Sequence, residues 1–113
     1  MTKYLISFPS EAMVIPEEDF ETVGEAAHAV IEEAKAAGVY VFGGGIAEDV
    51  APVLVAGDGT VTEGTYLGHE VPNGGYTILE LPSREAALEW AAKIAVACRC
   101  SQELRQFQYD PAS

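Results

Sequence analysis

Only two segments of this 113-residue chain carry an apolar stripe at helical spacing, whereas its strand-like segments are apolar on both sides. That mismatch limits what the chain can fold into. Phe20, Val23, Ala27, Val30, Ile31 and Ala34 recur every three or four residues, behind Pro16 and the acids Glu17, Glu18 and Asp19. Proline in a first turn and acids at the positive end of the helix dipole mark the start of a helix, and Gly38 marks its end. The second stripe, Ala87, Leu88, Ala91, Ile94, Ala95 and Cys98, follows Ser83, a good N-cap residue, and leaves Glu85, Glu89 and Lys93 outward.

The remaining segments have strand character. Lys3 to Phe8 alternates Tyr4, Ile6 and Phe8 against Lys3, Leu5 and Ser7. Val39 to Phe42 is apolar throughout and runs into Gly43-Gly44-Gly45, which permits a bulge or a close backbone approach to a neighbouring strand or ligand. Pro52 to Ala56 and Thr60 to Glu63 flank the Gly57-Asp58-Gly59 turn as a hairpin. Gly75 to Leu81 is a clear strand stopped by Pro82, and Leu104 to Tyr109 is the last. The order predicts an α+β domain spanning residues 1–113, a ferredoxin-like βαββαβ unit with an antiparallel sheet and one extra short hairpin.

Both helices can cover only one face of such a sheet. Val39 and Val41 alternate with Tyr40 and Phe42, and Tyr76 and Ile78 with Leu79 and Leu81, so a lone copy would leave an apolar face in water. Patches of that size mark interfaces. The expectation is a homodimer paired sheet to sheet, with Tyr40, Phe42, Tyr76 and Ile78 in the interface.

Charge narrows the partners. Eighteen acidic residues against six basic ones give a formal charge of −12, a field that repels nucleic acid and anionic membranes. No apolar run is long enough to span a bilayer, and the beginning MTKYLISFPS lacks the apolar block of a signal peptide, so a cytoplasmic protein is the expectation. Cys98 and Cys100 are too few for a disulfide framework or a zinc site, which predicts Cys98 as a core residue and no metal. Gly43 to Gly45 is no phosphate loop, since neither a helix nor a Lys-Ser/Thr pair follows it.

The segments AAGVYVFGGGI (36–46), VTEGTYLGHEVPNGGYTIL (61–79) and EAALEWAAKI (85–94), with a histidine, His28, on the first helix, resemble in order and spacing the YCII-related family, in particular its DGPF-type branch. The likeness extends from Tyr4 to Tyr109. It implies a dimeric α/β-barrel made of two ferredoxin-like units, and a proposed enzymatic role for a histidine–acid pair. His28 stands at the family's helix histidine and Glu63 at its motif acid, a longer carboxylate than the family's aspartate. Thr65, Tyr66, Gly68 and Glu70 replace the family's proline, phenylalanine, first acid and lysine.

His28 sits at the edge of the first helical stripe, one turn after Gly24, whose missing side chain leaves room for a ligand or a strand. Paired with Glu63 it would be a general base, because the acid fixes the imidazole tautomer and favours its protonated form. Otherwise it is a hydrogen-bonded residue with no chemistry. Gly44, Tyr66 and His69 are the candidate substrate-binding residues, although Tyr66 and His69 also suit a dimer edge. Two functions compete: a small-molecule-binding domain, conceivably an enzyme moving a proton through His28 and Glu63 with no cofactor, and a non-catalytic structural, sensing or protein-interaction homodimer.

Overall fold

A computed structural model describes residues 1–69 and 72–113. The chain runs β1 (Thr2–Phe8), α1 (Phe20–Ala36), β2 (Tyr40–Gly45), β3 (Val53–Val55), β4 (Val61–Glu63), β5 (Gly75–Leu81), α2 (Arg84–Cys98) and β6 (Glu103–Gln106), with short 3-10 turns at Ser10–Ala12 and Glu17–Asp19. This is the expected α+β class. Four strands form an antiparallel sheet in the order β2-β5-β1-β6, while β3 and β4 form a separate two-stranded sheet. None of the described helices is long and apolar enough to cross a membrane.

The helices pack on one face of the four-stranded sheet. Tyr4 and Ile6 of β1 and Leu79 and Leu81 of β5 meet Ala34 of α1 and Ala87, Ala91, Ile94 and Cys98 of α2 in one buried cluster. Small residues along α2 let the helix lie close, and the resulting four-three-four spacing explains why Leu88, one position off that line, is 51% exposed rather than buried as its stripe predicted. Phe20 also departs from its stripe and is exposed. Asp19 pairs with Arg99 just past the end of α2, at 2.7 Å, so the first turn of α1 lies level with that end and not over the helix body. Lys93 and Glu33 make a second link between the helices. As solvent-facing pairs, each is worth at most about 1 kcal/mol.

Local signals act where expected. The Ser83 side chain accepts from the Ala86 backbone N–H at 3.1 Å and caps α2. Gly38 has φ +74°, a conformation that follows helix ends and favours glycine. Gly74 is more constrained still: its φ is +78°, and a Cβ there would stand 2.0 Å from the Phe8 carbonyl oxygen. β6 is shorter than the expected 104–109 strand, ending at Gln106, although the Phe107 N–H still donates to the Lys3 carbonyl at 3.0 Å.

One register feature corrects the expected interface. Tyr40 pairs with Leu79, but Phe42 pairs with Ile78, so Val41 is an extra residue bulged out of β2. Cross-strand partners share a face. Tyr40 therefore packs with Leu79 beneath the helices, and only Phe42, Tyr76 and Ile78 of the expected set lie on the open face.

That open face is laid out in rows. Phe42, Ile78, Leu5 and Arg105 follow one another across the sheet, as do Gly44, Tyr76, Ser7 and Glu103. Phe42 is 62% exposed and Val41 45%. The molecule measures 43 × 42 × 22 Å, thin in one direction because nothing in the chain forms a third layer over this side.

Candidate functional site

His28 follows the half-buried Ala27 on α1 but is itself exposed, one position beyond the packed stripe. Glu63 ends β4 and is exposed as well. No hydrogen bond or ion pair joins them among the described residues. Within a single chain the expected pair is therefore not assembled. Gly24 is open as well: a Cβ there would meet nothing within 4 Å, so neither a strand nor a helix packs into the space it leaves.

The bend after β4 carries Tyr66 and His69. Their rings meet edge-on with centroids 6.1 Å apart, and Tyr66 is 74% exposed. Glu70, which stands where the resembled family has a lysine, lies outside the described residues. Gly44 is exposed on β2 opposite Tyr76.

The triple glycine has its tightest packing at Gly43. A Cβ on Gly43 would lie 3.1 Å from the Tyr40 hydroxyl and 3.3 Å from the Tyr76 carbonyl. The glycine thus makes room for Tyr40 on the helix side of the sheet, a packing role and not a cradle for phosphate.

Two spaces in the structure were not among the sequence candidates. A cavity of about 60 Å³ lies between the helices and the sheet, walled by Ile31, Tyr40, Thr77, Leu79, Trp90 and Cys98. Burial pushes the Cys98 thiol up from its ordinary value, and the neighbouring Cys100 adds to the shift. Both cysteines are free. Among the described residues no cluster of three or more His, Cys, Asp or Glu side chains is placed to hold a metal ion.

The second space is a groove of about 720 Å³ on the open side, between the sheet and the chain end, with Lys3, Val41, Ile78, Glu80, Phe107 and Tyr109 among its walls. Lys3 and Glu80 are cross-strand partners on β1 and β5, and their charged ends stand 3.7 Å apart. The groove thus offers apolar walls and one paired polar spot, and its volume falls in the range of small-molecule sites. Only the strand register brings its walls together, so no local signal in the sequence marked it.

Compared with known protein families and with curated proteins, the chain matches none.

Proposed function

We propose that this chain is a ferredoxin-like domain of YCII-related type that works as a homodimer, paired through its open sheet face, and binds a small amphipathic organic molecule in the groove beside that face. The single observation that carries the proposal is surface. The chain exposes 7896 Å² for a mass of 12.0 kDa, whereas a compact monomer of that mass exposes about 6,000 Å². Its radius of gyration is 15.9 Å, against about 13 Å for a compact chain of this length. The excess of about 1,900 Å² per copy exceeds the roughly 800 Å² that each partner buries in a standard interface.

The strand order β2-β5-β1-β6, with each helix crossing between strands that are not neighbours, supports the ferredoxin-like assignment. Pairing over Phe42, Ile78 and Leu5 would cover the apolar rows and place a roof beside the Lys3–Glu80 groove. Proton transfer by His28 and Glu63 of one chain is the weaker reading, because both are exposed and unlinked. A binding role without chemistry is accordingly favoured over an enzyme.

Ligand-detected NMR with a panel of small aromatic and aliphatic acids and amines tests the binding claim. At least one class is expected to bind the wild type and to bind Lys3→Ala or Glu80→Ala at least about tenfold more weakly. A panel that fails to bind a confirmed dimer, or binds both variants unchanged, contradicts the groove as the site.

A further inference from the structure

We propose that the β3–β4 hairpin is an arm that docks its apolar face on a second copy of the chain; this rests on the homodimer proposed above and extends its interface beyond the sheet. The hairpin interrupts what would otherwise be a direct connection between the neighbouring strands β2 and β5. Its base is fixed: the Ile46 N–H donates to the Gly74 carbonyl at 2.9 Å, and Ser10 bonds both Glu48 and Asn73. Beyond that base, among the described residues, the substantial contacts of β3 and β4 are with each other.

The register gives the arm two unlike faces. Val53 pairs with Glu63 and Val55 with Val61, so these four share one side, while Leu54 and Thr62 share the other. Val53, Val55 and Val61 are 50%, 66% and 60% exposed. Three valines in a row on one side of an isolated hairpin are not explained by the chain's own core. A two-stranded hairpin by itself is marginally stable in water, and a β-rich apolar face needs a surface to pack on.

Area identifies that surface as a second copy. Four strands about 4.8 Å apart and about six residues long present a patch of roughly 19 by 20 Å, about 400 Å² in plan. Even with side-chain relief this is well under half of the roughly 1,900 Å² by which the chain exceeds a compact monomer. The open sheet face alone does not account for the excess, and the arm is the other large part of the chain without cover. The arm carries Glu63 at the rim of its valine face, with Tyr66 and His69 just beyond, so in the dimer the surroundings of these three candidates include the partner.

The test is sedimentation analysis of the full chain bearing Val55→Glu with Val61→Glu, compared with wild type and with a control of equal added charge, Val14→Glu with Val96→Glu. Both control sites are more than 80% exposed and lie outside the sheet face and the arm. The proposal predicts a wild-type dimer, a dissociation constant raised at least about tenfold by the arm variant, and a markedly smaller change in the control. A wild-type dimer whose dissociation constant moves equally in both variants, or not at all, overturns the arm while leaving sheet pairing intact. An arm variant that loses thermal stability at unchanged dissociation constant shows the arm packing on its own chain and also overturns it. A wild type that is monomeric throughout overturns the dimer and the arm together.

Discussion

Tyr40 and Phe42 stand two residues apart on β2 yet face opposite sides of the sheet, because the bulge at Val41 lets Tyr40 pair with Leu79 and Phe42 with its neighbour Ile78. In a regular strand the two side chains would share a face. One extra residue therefore decides which aromatic belongs to the core and which to the open side.

The two aromatics are predicted to respond differently to truncation. Tyr40→Ala, which empties part of the helix-side core, is expected to cost about 2 kcal/mol of stability. Phe42→Ala is expected to stay within about 0.5 kcal/mol in dilute protein, where the dimer is dissociated. Urea unfolding at low concentration measures both. Equal losses would mean that the bulge does not separate them.

Two glycines supply a second contrast. Gly74→Ala forces a Cβ against the Phe8 carbonyl oxygen at a positive φ, and a loss of about 3 kcal/mol or more is expected. Gly24→Ala adds a methyl group to an open position on α1 and is expected to stabilise by roughly 0.5–1 kcal/mol. Thermal unfolding of the two variants reads the difference directly. A destabilised Gly24→Ala would mean that the space beside it is used.

Stability should fall in alkali partly through Cys98. Burial raises its thiol in the folded state, so the folded chain holds the proton more tightly than the unfolded one. The stabilisation is fully present below the unfolded thiol value of about 8.5 and is lost as pH rises through the higher folded value. Unfolding free energy measured from pH 7 to 10 is predicted to decline more steeply for the wild type than for Cys98→Ala. Parallel curves would count against a buried thiol at this position.

Much of the architecture was legible in the sequence because periodicity and end signals are local. Val23 to Ala34 repeats at helical spacing, Ser83 precedes a stripe it then caps, and Gly38 stands where α1 must reverse. Features set by register were not legible. Nothing in the run Val39 to Phe42 reveals that Val41 is extra, since the glycines that follow tolerate more than one pairing. Lys3 and Glu80 meet only because β1 lies beside β5, so the groove they share has no motif. Leu88 looked like a core residue until the alanines of α2 defined a line that leaves it out. The candidate site was the least legible part. His28 and Glu63 are each where the sequence put them, on α1 and at the end of β4, yet a residue pattern alone does not determine whether two elements bring their side chains together.

Sheet-to-sheet pairing is the central claim, and Ile78, in the middle of the open apolar row between Phe42 and Leu5, is the residue that tests it most directly. The measurement is sedimentation velocity of wild type and Ile78→Glu across the micromolar range, with circular dichroism to confirm that both are folded. The account predicts a wild-type species of twice 12.0 kDa and a folded Ile78→Glu monomer of 12.0 kDa. A monomeric wild type, or an Ile78→Glu dimer as tight as the wild type, would contradict it.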